Sequence, residues 1–305
     1  MNQIPAKSFG TRVDTGPQGK PPRKLTPSRI GIYLFLVMAA AFFLLPLYVV
    51  VLTSLKTMPE IRLGNILEWP EIWTFEAWII AWDSACTGLT CEGIKVGFWN
   101  SVKILIPSLF VSIMAGAICG YVLSYWKFKG SELFFFIVLF GAFVPYQVMI
   151  YPIIRIFSVT GLYGSLAGIV LIHTIFGLPI MTLIFRNFYS SLPKEIFNAA
   201  RVDGGGFFAI FFHVLLPMST PMLIVAVILQ VTGIWNDYLL GLIFGGRDNI
   251  PMTVQLNNIV NSARGDVAYN VNMAATLLTA LVPLAVYFFS GRWFVRGIAA
   301  GAVKG

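Results

Sequence analysis

His173, Asp237 and a pair of cysteines are the side chains whose type and position most invite chemistry in this 305-residue chain. His173, with Thr174 beside it, falls near the middle of an apolar run. There an imidazole serves as a proton relay, a sugar contact or a satisfied polar bridge between helices. Asp237 closes Trp235-Asn236-Asp237 at the end of another apolar run. An acid at that depth, with Asn236 beside it, lines a water-filled path or has a structural task, capping a helix end or pairing with Arg247. Cys86 and Cys91 lie close together in a polar stretch. They suit a short-loop disulfide if that stretch faces an oxidising compartment, and two free thiols otherwise. A pair of cysteines alone is a poor metal site, and Cys119, in an apolar run, reads as a small packing residue. One histidine within a span, a second at His213 and one near-membrane acid are thin material for catalysis or for a proton-driven carrier. No Ser–His–Asp arrangement or metal cluster stands out. Gly16-Pro17-Gln18-Gly19-Lys20-Pro21 lacks the spacing and the Ser/Thr of a phosphate loop, so the chain is not expected to hydrolyse ATP by that route.

The elements that hold these residues are apolar runs too long for a soluble core. The chain is 57% hydrophobic and 11% charged, with a mean hydropathy of +0.80; a soluble domain carries roughly 25% charged residues. The net charge of +8 does not mark a nucleic-acid binder, because the cations cluster at the ends of apolar runs instead of on one soluble face. Residues 1–29 are rich in Pro, Gly, Lys and Arg, read as a loosely held tail, and carry no secretory signal. Six apolar runs follow, at 30–55, 98–126, 133–154, 162–185, 218–240 and 273–289. Helices of such lengths span a hydrocarbon core about 30 Å thick, so the expected fold is an all-α membrane protein with six transmembrane helices. Pro46 is expected to kink the first, and Pro145 and Gln147 interrupt the third. Gly116 and Gly120 on one face of the second suit close helix packing, inside the subunit or against another. The hydrophilic connection 56–97 carries Trp69, Trp73, Trp78 and Trp82, which suit a membrane–water boundary or a docking surface. Residues 246–270 read as a polar segment with a short surface helix.

The interval Leu192–Pro217, LPKEIFNAARVDGGGFFAIFFHVLLP, mixes charge, small residues and glycine at helical spacing between two of these runs. It reads as a helix–turn–helix at a membrane surface. Pro193 suits a first helical turn, with Ser190 or Ser191 placed to cap it. Ile196, Ala199, Ala200 and Asp203 recur on one face, and the two alanines let another chain approach closely. Gly204 to Gly206 break the helix and allow positive φ, and Asp203 is placed to cap the helix that follows.

An even number of spans puts both termini and the 186–217 loop on one side. That side collects fourteen of the Lys and Arg residues and the other side seven. The positive-inside rule therefore places the termini and the loop in the cytoplasm, and Cys86 and Cys91 on the oxidising side, which favours the bridge.

Leu192–Pro217 resembles the cytoplasmic loop of permease subunits in binding-protein-dependent ABC importers. That family's pattern is E-A-A, three residues, Gly, nine residues, then I-x-L-P. Here Asn198-Ala199-Ala200 is followed by Gly204 and by Val214-Leu215-Leu216-Pro217 at the matching distances, with Asn198 replacing the Glu and Val214 the Ile. Trp235-Asn236-Asp237-Tyr238, Ile250-Pro251-Met252-Thr253-Val254, Met273-Ala274-Ala275 and the tail from Val295-Arg296-Gly297 to Gly305 look most like the second, shorter permease of maltose-type systems. The resemblance implies a type I ABC importer permease fold over 30–305 and half of a sugar pathway. It implies as partners a second permease, a dimer of cytoplasmic ATP-binding subunits, a periplasmic sugar-binding protein and membrane lipid, in a bacterial inner membrane. ATP and Mg²⁺ would sit on the partner ATPase, with no cofactor bound by this chain. Glu195, Asn198, Ala199, Ala200, Asp203, Gly204 and Pro217 become the ATPase-coupling residues, and His173, Asn236 and Asp237 candidates for the path. The loop with Cys86 and Cys91 is reminiscent of glucose or mannose permeases, and residues 297–305 are expected to reach the ATPase. The alternative is a stand-alone secondary carrier for a small polar solute, which would show intramembrane ion sites or a repeat with discontinuous helices.

Overall fold

The computed structural model describes residues 26–88, 90–126, 128–261 and 267–302, the last stretch from 292 by its backbone alone. The expectations for the tail at 1–25 and for the side chains of 297–305 fall outside them. Every regular element among the described residues is helical, and the chain forms two compact units, Met1–Tyr48 and Val49–Gly305.

The first unit holds most of α1 (Pro27–Ser54), which runs on through Pro46. Side chains from Ile30 to Leu47 are mostly exposed apolar surface, as expected of a helix that meets lipid or another chain.

In the second unit, the connection after α1 is folded. It contains α2 (Met58–Leu63) and α3 (Glu76–Asp83). Then come α4 (Lys95–Tyr125), α5 (Ser131–Phe140), α6 (Tyr146–Thr160), α7 (Leu166–Ser191), α8 (Lys194–Val202), α9 (Phe207–Ile210), α10 (Leu216–Met218), α11 (Thr220–Trp235), α12 (Leu239–Phe244), α13 (Met252–Asn261) and α14 (Tyr269–Ala302). Among the described residues, four helices are individually long and apolar enough to cross a membrane: α1, α4, α7 and Tyr269–Gly291 of α14. Two bent helix pairs among the described residues meet the same length and hydropathy test when each pair is taken together.

The interruption expected at Pro145 and Gln147 is a sharp bend in the third run, and a second bend lies at the start of the fifth. The third run folds as Ser131–Phe143 and Tyr146–Thr160, 104° apart. Pro145 drives Val144 into an extended conformation (ψ 120°) and has no N–H to continue the ladder. The second bent pair joins Phe207–Met218, the end of the 192–217 interval, to Thr220–Trp235 of the fifth run, 80° apart. Here Pro217 and Pro221 flank Ser219, whose buried Oγ donates to Leu215 O at 2.6 Å and lies 3.2 Å from Tyr189 Oη.

α4 and α7 form the spine. A Cβ added at Gly116 would lie 2.3 Å from Met181 Cβ, and one at Gly120 would lie 2.7 Å from Arg186 N, so this glycine pair brings the two backbones together inside the subunit. α13 is the short helix expected in the polar segment, with Asn257, Val260 and Asn261 exposed and its other face packed inward. Met252, Val254, Gln255 and Ile259 are buried, and Met252 N donates to Ser101 Oγ at 2.8 Å. In the 56–97 connection the tryptophans divide: Trp69 and Trp73 are exposed, whereas Trp78 and Trp82 pack on a core that includes Trp235, Ala274 and Ala275. Cys86 and Cys91 are joined by a disulfide in that connection.

Candidate functional site

Two neighbourhoods collect the residues singled out above. The first is the 192–217 loop. α7 runs on to Ser191, so Ser190 and Ser191 belong to it and do not cap α8; Ser191 Oγ donates back to Phe188 O at 2.7 Å. Pro193 occupies the position before α8 with an extended ψ of 131°. One side chain seats the short helix. Phe197 is buried, stacked on Tyr125 at 4.4 Å between ring centroids and edge-on to Trp126 at 6.0 Å. Arg201 lies over the Trp126 ring at 5.5 Å. The opposite side stays free: Glu195, Asn198 and Ala199 are exposed, whereas the half-buried Ala200 packs against the cluster that holds Phe197.

Asp203 ends α8 instead of capping the next helix, whose N-terminal neighbour is Gly206. Among the three glycines only Gly204 takes a positive φ, +83°. That left-handed residue closes the helix, with Gly205 N donating to Ala200 O at 2.9 Å. Beyond it, Phe211–Leu215 is a π-helix in which Leu216 N donates to Phe211 O. Pro217 supplies the cause: it has no N–H for the carbonyl four residues back, so the turn widens by one residue. Three tyrosines tie the loop to the spans. Tyr121 Oη donates to Phe207 O (3.4 Å), Tyr125 Oη to Tyr189 O (3.0 Å), and Tyr189 meets Ser219 at the bend. Motion of α8 therefore has a packed route to the foot of α11.

The second neighbourhood lies toward the other end of α11. His173, Asn236 and Asp237, from two separate runs, line one cavity of about 590 Å³ together with Tyr146 of α6, Gly177 of α7 and Gln230 of α11. Sequence reading missed Gln230; the rule that singled out His173, a polar side chain inside an apolar run, would have found it. The Asp237 carboxylate is engaged: Oδ2 accepts from Gly241 N at 2.9 Å and Oδ1 from Leu240 N at 3.4 Å. It thus satisfies free first-turn donors of α12, and its carbonyl accepts from Thr253 Oγ1 at 2.6 Å. Of the structural tasks open to it, helix capping is the one observed. No three His, Cys, Asp or Glu side chains are grouped to hold a metal among the described residues.

A family model for the binding-protein-dependent transport system inner membrane component matches residues 112–300, which include both neighbourhoods. The chain belongs to this family. A probable ABC transporter permease protein of Pyrococcus horikoshii is 33% identical over 284 residues, 93% of this chain and 100% of the relative. The glucose import system permease protein of Saccharolobus solfataricus is 29% identical over 282 residues, 90% of this chain and 95% of the relative. Among solved structures, a bacterial ABC transporter involved in the import of the acidic polysaccharide alginate shares the fold. It has a TM-score of 0.76 at 18% identity, over 90% of this chain and 100% of that chain. A permease of this family is a multi-pass membrane component of a transport system and not an enzyme, in keeping with the scarcity of reactive side chains.

Proposed function

We propose that the chain is one of two permeases in an ATP-driven sugar importer, forming half of the translocation pathway and coupled to a cytoplasmic ATPase through the 192–217 loop. The observation that carries the coupling is the asymmetry of α8. Phe197 and Ala200 seat one face while the exposed face of Asn198 and Ala199 is left for a partner, and Gly204 fixes the turn behind it. A rigid helix docked in a cleft of an ATPase would pass its displacement through Tyr189 and Ser219 to α11. The cation asymmetry supports a cytoplasmic location for the loop and both termini in a bacterial inner membrane, with the disulfide outside. A periplasmic binding protein would deliver the cargo. The glucose permease among the relatives and the Cys86–Cys91 loop favour glucose or mannose.

The test is recovery of the tagged chain from its native membrane in mild detergent, followed by reconstitution in liposomes. A second permease and an ATPase are expected to co-purify, and uptake of glucose or mannose to require ATP and the binding protein. Recovery of the chain alone, moving solute without ATP, would overturn the reading in favour of a secondary carrier.

A further inference from the structure

The cavity at the end of α11 contains polar groups that the fold itself does not use. His173 and Gln230 are each only 7% exposed, yet neither has a hydrogen-bond partner among the described residues. Neither contributes an atom sealed from the cavity, so their polar atoms open onto it. Burying an amide without a partner is costly, and a native structure that does so leaves the group for a water, an ion or a ligand. The surroundings hold the amide in place. Gly177 has no side chain where Gln230 lies: an added Cβ would sit 2.3 Å from Gln230 Nε2. Tyr146 and Phe176 supply an aromatic wall, their rings 5.9 Å apart edge to face. Neutral amide and imidazole groups beside an aromatic wall match a solute with many hydroxyls and apolar C–H faces.

Charge narrows the class further. Among the described residues no Lys or Arg lines the cavity, and the one carboxylate is that of Asp237. An anionic sugar would lose its hydration there without a compensating cation and would face Asp237.

We propose that Gln230 and His173 are the hydroxyl-recognising contact of this permease with its cargo, and that the cargo is a neutral sugar, not a sugar acid. This rests on the reading of the chain as a sugar importer subunit and adds that this subunit itself touches the sugar.

The experiment uses the complete importer in liposomes, with glucose, mannose and maltose as neutral probes and glucuronate as the acidic one. Sugar moved per ATP hydrolysed is compared for wild type, Gln230→Ala and Gly177→Ala, beside binding of each probe to the detergent-purified complex without the binding protein. Gln230→Ala is expected to lower neutral-sugar transport per ATP about five- to tenfold, while ATPase stimulation by the loaded binding protein stays within about twofold. Gly177→Ala is expected to act in the same direction, because its methyl displaces the amide. Ala also favours the helix more than Gly does, so a loss there does not come from a weakened α7. Glucuronate is expected to bind the complex at least tenfold more weakly than the best neutral probe. Transport per ATP unchanged in both variants, or preferential binding of glucuronate, overturns the assignment. A wild-type complex that takes up none of the four probes with ATP fails the importer reading itself, and the assignment with it.

Discussion

The loop at 192–217 and the cavity at the far end of α11 solve opposite problems. The loop's first helix, α8, turns Phe197 inward and leaves Asn198 and Ala199 exposed; its unmet need is steric, a surface for another chain. The cavity buries neutral polar groups and leaves them without partners; its unmet need is hydrogen bonding. The first arrangement suits a contact that persists while a helix is pushed. The second suits one that forms and breaks as cargo passes. A substitution should therefore act on assembly at the loop and on cargo at the cavity.

Removing the seat of the loop gives the largest expected effect. Phe197→Ala deletes a buried ring held between Tyr125 and Trp126, a change that costs about 3–5 kcal/mol in well-packed cores. Co-purification of the ATPase should fall at least tenfold while the chain still inserts. Asn198→Glu, which puts the acid of the family's pattern on the docking face, should leave recovery within about twofold. Equal losses in the two variants would erase the difference between seat and docking face.

Gly204→Val comes next. A β-branched residue at φ +83° is strained by about 1–3 kcal/mol, although the space around it is open. The strain acts on the turn, so ATP-driven uptake should fall more than fivefold with membrane insertion intact, and Gly204→Asn should recover most of it because Asn tolerates that region. Normal uptake by the valine variant would remove Gly204 from coupling.

The two regions also differed in how far the sequence disclosed them. The loop is local: its small residues, glycine and proline stand at fixed offsets within one interval, so spacing alone revealed it. Its details depended on neighbours. The reading placed a cap at Ser190 or Ser191, but α7 extends through both, and Asp203 ends α8 because Gly204 turns the chain immediately after it. The cavity is assembled from residues nearly a hundred positions apart, from Tyr146 to Asp237. Polar outliers in apolar runs pointed to His173, Asn236 and Asp237 singly, but nothing in a one-dimensional pattern says that they share a wall. Hydropathy located the third and fifth runs; Pro145 disclosed the interruption of the third but not its angle, and the bend at Ser219, between Pro217 and Pro221, went unread.

Asp237 tests the cavity side with a smaller effect. Asp237→Ala removes the acceptor of the Leu240 and Gly241 N–H groups, a loss of about 1 kcal/mol by analogy with helix caps. Uptake should fall two- to fivefold with assembly preserved. Asp237→Asn keeps an acceptor oxygen and should lie near wild type if capping is the role; a loss as deep as that of alanine would instead assign the carboxylate charge to the path.

The smallest effect separates both regions from the folded connection at 56–97. Glu60 accepts from Thr57 N and Thr57 Oγ1, both at 2.8 Å, from Glu71 N at 2.7 Å and from Ile72 N at 3.1 Å. Those bonds, led by that from Thr57 N, hold its carboxyl at about 2, below the ordinary 4.5. A pKa depressed on folding gives stability that is complete above the unfolded value and disappears as pH falls through the folded one. The window is therefore about 4.5 down to about 2. Glu60→Gln should lower the thermal midpoint by a few degrees, by an amount constant from pH 8 to pH 5 and shrinking only below that window's upper edge. Uptake and ATPase recovery at neutral pH should change by less than about twofold, since Glu60 belongs to neither the loop nor the cavity. A difference that has already vanished at pH 5, or one that grows on acidification, would show that these four hydrogen bonds do not set the stability of the connection.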